Sequence, residues 1–260
     1  MRMPVLFVGH GSPMNAITDN QYKEAWIKLG KKLQPKAIVC ISAHWYTRGT
    51  KVDPSRRPEQ IYDMTGFPAE LYQVKYPALG SPELARRVQK LIGPECQFNT
   101  DWGIDHGTWS VLKWMYPLAD IPVIQLAVDG TRDASYHFNI GEKLAPLRDE
   151  GVLIIGSGNI VHNLGKVAWN MPGGYPWADE FDEIIKDAVK LRQFDRIIDY
   201  KSNGESALLA VPTPDHYFPL LYVLGATTKA DSPLIFNESR ELGSISMTGY
   251  LLGEDLPELN

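Results

Sequence analysis

Pro4–Val8, Ala37–Ser42, Pro122–Val128 and Val152–Ile155 are apolar along nearly their whole length, rich in Val and Ile, and too short for buried helices. A strand with one wet face alternates apolar and polar residues; these runs do not, so they read as strands covered on both faces. Helical patterns lie between them. Tyr22–Leu33 places Trp26, Leu29 and Leu33 on one face, and Pro82–Ile92 opens with Ser81 as N-cap and Pro82 at the first position. Thr108–Tyr116 is stopped by Pro117, and Ser135–Leu147 and Ala178–Leu191 follow. A helix from near Pro214 to Gly225 and a last strand over Ser244–Leu251 complete the series. Strands alternating with helices predict an α/β chain with a mostly parallel sheet between two helical layers. No repeat, low-complexity segment or break in composition divides the chain, so the expectation is one domain over residues 1–260.

The chain has 26 basic and 31 acidic residues, a net charge of -5, and no basic block. That balance argues against nucleic acid or an anionic membrane as the main partner. No apolar run approaches the roughly 18 residues of a membrane span. Met1 to Gly9 reads as a strand rather than a signal peptide. Cys40 and Cys96 cannot form a disulfide framework, which fits a reducing compartment. A cytoplasmic location is expected; oligomeric state is not legible.

The chemistry concentrates in histidine. Of six, four follow a strand end or open a helix: His10 after the first strand, His44 in Ser42-Ala43-His44-Trp45, His162 after a Gly156-Ser157-Gly158 turn, and His216 in Pro212-Thr213-Pro214-Asp215-His216. The carboxyl ends of parallel strands share one edge, where ligands bind. Imidazole is a ligand for most first-row metals, so three or four converging there would form a metal site. A lone histidine is more often simply hydrogen-bonded to backbone, and no short signature such as His-Glu-x-x-His is present. His106, between Asp105 and Gly107 before a helix, reads as an acid, base or hydrogen-bond donor beside the metal, or as part of a capping turn. His137 sits inside a helical pattern and reads as packed or solvated there.

The long segments Tyr46–Leu79 and Val167–Pro176 exceed ordinary connections and are candidate walls of a binding site. Trp26, Trp114 and Phe181 read as core. Trp45, Tyr46, Trp102 and Tyr217 flank the histidines and are candidates for lining a flat pocket, although packing explains each alone.

Five motifs occur in order: Val8-Gly9-His10-Gly11-Ser12-Pro13, Ser42-Ala43-His44-Trp45, Trp102-Gly103-Ile104-Asp105-His106-Gly107-Thr108-Trp109, Gly156-Ser157-Gly158-Asn159-Ile160-Val161-His162-Asn163-Leu164 and Thr213-Pro214-Asp215-His216-Tyr217. Together, over about residues 3–251, they resemble the DOPA-dioxygenase group of class III extradiol ring-cleavage dioxygenases. The resemblance implies a single-domain three-layer αβα sandwich around a mostly parallel mixed sheet, with a non-haem Fe(2+) site. His10, His44 and His216 match metal-binding positions. His162 matches a histidine abutting the metal, as base or fourth ligand, and His106 matches one that contacts oxygen or substrate. The wider family uses two histidines and a carboxylate. Here His216 stands where Glu is expected, with Asp215 as a neighbouring alternative. An all-imidazole set suits Zn(2+), which is expected in the purified protein, whereas Fe(2+) is expected for catalysis.

The implied substrates are a catechol and O2. The ring opens between a hydroxylated carbon and its unhydroxylated neighbour to give a semialdehyde; for L-DOPA that is 4,5-seco-DOPA, which cyclises to betalamic acid. His162 is the candidate base for a catechol proton and His106 the donor to negative charge developing on oxygen. The alternatives are a zinc-dependent hydrolase, a non-catalytic zinc-binding relative and, more distantly, a tetrapyrrole metal chelatase, which can also open on Gly-His-Gly-Ser.

Overall fold

The computed structural model describes residues 2–258. Met1, the first residue of the expected Met1–Gly9 strand pattern, lies outside them. In chain order the strands are β1 (Val5–Gly9), β2 (Ala37–Thr47), β3 (Thr50–Val52), β4 (Cys96–Phe98), β5 (Val123–Asp129), β6 (Val152–Gly158), β7 (Ser232–Phe236), β8 (Arg240–Glu241), β9 (Ile245–Ser246) and β10 (Gly249–Gly253). The α-helices are α1 (Gln21–Lys32), α2 (Pro82–Ile92), α3 (His106–Met115), α4 (Ala134–Leu144), α5 (Pro176–Lys190), α6 (Phe194–Ile198), α7 (Glu205–Ala210) and α8 (Phe218–Gly225).

Eight strands form one sheet in the order β4-β3-β5-β2-β6-β1-β10-β7. Its centre is parallel: β1 and β2 both pair with β6, and β2 pairs with β5. Antiparallel pairs lie outside it, β10 with β1 and β7 on one side and β3 with β5 on the other. Successive side chains of a strand point to opposite faces. Val5 and Phe7 of β1 accordingly join one core, with Val39, Ile41 and Ile154, while Leu6 and Val8 join another, with Ile38, Cys40 and Ile155. Residues of α5, α7 and α8 pack in the first core, and Trp26, Leu29, Trp109 and Leu112 of α1 and α3 in the second. The fold is thus an α/β structure with a mixed, centrally parallel sheet flanked by helices. Fully burying one Leu- or Phe-sized side chain contributes about 1.5–3 kcal/mol, which is why the mostly apolar runs dictate the central strands.

Several boundaries differ from the sequence expectations. The Gly156-Ser157-Gly158 segment is the end of β6, not a turn. Its glycines are there for close approach: a Cβ on Gly156 would lie 2.4 Å from the Pro219 carbonyl oxygen, and one on Gly158 would lie 2.1 Å from that of His216. The start of α8 therefore rests directly on the strand. β2 runs on past Ser42 to Thr47, so His44 lies within it, where pairing with β5 shifts register between Ile41 and Tyr46. α3 begins at His106 rather than Thr108, because the Asp105 carboxylate caps it by accepting from Thr108 N–H. The helix expected from Pro214 starts at Phe218, and the strand expected over Ser244–Leu251 is split into β9 and β10.

Candidate active site

The carboxyl ends of β1, β2 and β6 lie side by side, and five histidines meet above them. His10 directly follows β1; its N–H donates to the Gly158 carbonyl, and its own carbonyl accepts from the Asn15 side chain. His44 rides the irregular stretch of β2, and His106 opens α3. His162 follows β6 and is fixed by its N–H to the Ala210 carbonyl and a bridge to Ile245. His216 sits in the turn before α8, its carbonyl accepting from Asn159 N–H.

Imidazole ligand atoms of His10, His44 and His216 lie within 4.8 Å of one another, and the ring centroids are 4.8–5.3 Å apart. His106 stacks on His44 at 4.0 Å and His162 on His216 at 3.5 Å. His137 stands apart, buried among Tyr136, Phe218 and Tyr222. It is packed in the core rather than solvated.

The hydrogen bonds around the cluster orient the rings. Ser157 has one hydroxyl hydrogen and donates it to the Gly107 carbonyl at 2.6 Å. It must then accept from His10 Nδ1, 2.9 Å away, which leaves the His10 Nε2 lone pair free. His216 Nδ1 donates to the Asp215 carboxylate in a short hydrogen bond. Asp215 is thus the partner of His216. His106 is held twice by Asp63, through its N–H at 2.8 Å and Nδ1 at 2.9 Å. His44 Nδ1 is buried without a hydrogen-bond partner, 3.5 Å from Asp63 and 3.7 Å from Asp105.

Packing so many imidazoles together keeps most of them neutral. Burial, then the charge of His44, holds His10 well below its ordinary pKa. Burial and His216 push His162 down to about 2, and burial brings His216 to about 4 despite Asp215. His106 is lowered by burial and by His44, against the pull of Asp63. In His44 burial is outweighed by the neighbouring Asp105 and Asp63 carboxylates, so its pKa is raised. Asp105 is held well below the usual carboxylate range: burial opposes this, but His44 and hydrogen bonds from Trp102 and Gln125 prevail.

These histidines floor a cavity of about 340 Å³, within the usual range for small-molecule sites. Its walls include Met64, Phe67, Leu164, Val167, Trp169 and Ile245. Met64, Phe67, Val167 and Trp169 belong to the two long segments expected to supply walls. The four aromatic residues beside the histidines do not line it. Trp45 and Tyr217 are buried in packing, Trp102 donates to Asp105, and Tyr46 borders a separate cleft with Arg132 and Tyr200. Asp63 and Ser157 were not singled out from sequence as site residues. Ser157 lay in a quoted motif, but Asp63 lies in an aperiodic stretch with no local signal.

A metal fits this site on its own terms. Three imidazoles converge, two of them have Nδ1 satisfied by Ser157 or Asp215, and the third carries a buried unpartnered nitrogen. That is the arrangement of ligating histidines backed by outer hydrogen bonds.

Comparison with known proteins agrees with this chemistry. The model of the catalytic LigB subunit of aromatic ring-opening dioxygenase matches residues 4–252. The chain is 47% identical to the 4,5-DOPA dioxygenase extradiol of Escherichia coli (strain K12), covering 97% of this chain and 95% of that protein. It is 40% identical to that of Beta vulgaris, covering 94% of each. The crystal structure of an uncharacterized protein from Escherichia coli K12 superposes with a TM-score of 0.85 at 45% identity, over 97% of this chain and all of that one. Among the described residues no helix is long and apolar enough to cross a membrane. The chain belongs to the LigB family of aromatic ring-opening dioxygenases, the class III extradiol enzymes.

Proposed function

We propose that this extradiol dioxygenase opens the ring of a catechol such as L-DOPA with O2, between a hydroxylated carbon and its unhydroxylated neighbour. The product is a semialdehyde, which for L-DOPA is 4,5-seco-DOPA, cyclising to betalamic acid. The observation that carries this reading is the trio His10, His44 and His216 at the floor of an apolar cavity of aromatic-ring size. These three residues would hold the metal. When bound, Fe(2+) supplies a chelation point for both catechol oxygens and electron exchange with O2.

The remaining roles belong to the chain's own groups. His162 lines the cavity with its ring stacked on His216, which places a ring nitrogen to take a proton from a catechol hydroxyl. His106 is aimed by Asp63 and donates a hydrogen bond to oxygen as negative charge develops there. Met64, Phe67 and Val167 offer the ring an apolar wall, with Trp169 exposed at the rim. The same imidazole donors suit Zn(2+), which has no redox chemistry, so zinc is expected in purified protein and is expected to be inactive with O2. A cytoplasmic location fits the reduced state of Cys40 and Cys96.

Anaerobic loading with Fe(2+), followed by oxygen-electrode and product analysis across a catechol panel, tests the reading. Ring-opened semialdehyde is the expected product; absence of product from every catechol in iron-loaded protein would refute it.

A further inference from the structure

We propose that Glu241 selects the substrate's side chain by pairing with an ammonium group carried on a short chain across the ring from the two hydroxyls. The orientation of the ligand rests on the ring-cleavage reading above; the charge preference itself does not.

Histidines aside, Glu241 is the one ionisable side chain among the described residues lining the cavity, and no described Lys or Arg lines it. Its position follows from strand register. Glu241 is paired directly with Ile245, and Ile245 is bridged to His162. Directly paired residues project to the same face, so Glu241, Ile245 and His162 all reach the cavity. Two strand spacings separate the backbones of Glu241 and His162, about 10 Å in all. A catechol with its hydroxyls at the histidines therefore presents a side-chain amine toward Glu241.

The neighbouring cation does not neutralise this carboxylate. Alternation turns Arg240 to the opposite face, where it binds Asp179 at 2.6 Å and Asp182 at 3.0 Å. Among the described residues Glu241 makes no ion pair of its own, and the Tyr22 hydroxyl is the polar group that acts on its carboxylate. Burial raises its pKa while Tyr22 opposes the rise. A half-buried carboxylate in an apolar wall gains most from a cation that arrives with the ligand. The basic groups of this cavity are the imidazoles of its floor, and among the described residues no Lys or Arg lines the wall at Glu241, so a plain amine binds at least as well as the corresponding amino acid. A catechol bearing only a carboxylate is disfavoured.

The test is calorimetry on the full-length, iron-loaded protein under nitrogen, with dopamine, 3,4-dihydroxyphenylpropionate and 4-methylcatechol as ligands. A charge-assisted pair predicts that dopamine binds about tenfold or more tightly than the acid. In Glu241→Gln the ratio of dopamine to 4-methylcatechol affinity should fall by a similar factor, and Glu241→Lys should turn the preference toward the acid. Equal affinity of wild-type protein for dopamine and the acid would overturn the proposal, as would an unchanged ratio in Glu241→Gln. Binding is read without turnover, so failure of ring cleavage in air and failure of the charge preference are seen separately.

Discussion

His162 and His216 lie face to face, with ring centroids 3.5 Å apart and planes 8° from parallel. Two imidazolium ions cannot occupy that geometry, since like charges at this distance repel strongly in a low-dielectric site. Asp215 holds the Nδ1 proton of His216, and no side-chain hydrogen bond engages the His162 ring among the described residues. In the proposed reading the pair divides the labour, His216 fixed to hold a metal and His162 free to move a proton. His162→Ala should retain iron and lose turnover by about 10²–10⁴-fold, the usual span for general base catalysis. Iron analysis beside oxygen uptake checks this; loss of iron in the variant would make His162 a ligand instead.

Asp105 should control metal affinity without touching the metal. Its carboxylate accepts from Ser42 at 2.7 Å, Gln125 at 2.8 Å and Trp102 at 3.0 Å, and lies 3.7 Å from His44. Removing its charge in Asp105→Asn should weaken metal binding about 10–100-fold, the range seen for outer-shell partners. A chelator competition titration measures the shift, and an unaltered affinity would show that His44 needs no such support.

His137 should contribute its own share of the stability lost in acid and leave ring cleavage alone. Tyr222 donates its hydroxyl to the Ala127 carbonyl, so it accepts from His137 Nδ1, and His137 Nε2 is left buried without a partner. Burial lowers its pKa to about 4. Unfolded histidine titrates near 6.5, so in acid the unfolded state takes the proton first. The stability is fully present above about pH 6.5 and is lost as pH falls toward 4, about 3 kcal/mol in all. Urea midpoints between pH 7 and 4.5 should fall more steeply in wild type than in His137→Gln. Parallel slopes would contradict the assignment, and lost oxygen uptake in iron-loaded His137→Gln would place this residue in the chemistry after all.

The parts of this molecule legible in its sequence are those whose cause is local. Val5–Gly9 is an uninterrupted apolar strand and Val123–Asp129 is apolar but for Gln125 and the terminal Asp129, and Pro82–Ile92 carries its own start signal in Ser81 and its stop at Gly93. His10, His44, His162 and His216 were visible because parallel strands gather at one edge. What escaped depends on partners remote in the chain. β3 and β4 are three-residue strands with no period to detect. Gly156-Ser157-Gly158 looks like a turn by composition, yet it is a strand thinned so that the His216 turn can lie on it. Asp63 comes from an irregular segment, and it is positioned by the α3 N-terminus rather than by anything adjacent to it. Glu241 reaches the cavity only through the pairing of two-residue strands.

On the proposed reading, His10, His44 and His216 hold an iron that serves ring opening by O2. The most direct measurement is oxygen consumption per molecule of catechol opened, made in parallel on the same protein loaded with Fe(2+) or with Zn(2+). Both forms should gain thermal stability over the metal-free chain, since either ion binds the folded state alone. The iron form should consume about one O2 per ring opened, as a dioxygenase must, and the zinc form none, because Zn(2+) cannot exchange electrons. Zinc-loaded protein that opens the ring at the full rate, or stably iron-loaded protein that consumes no oxygen with any catechol, would contradict the account.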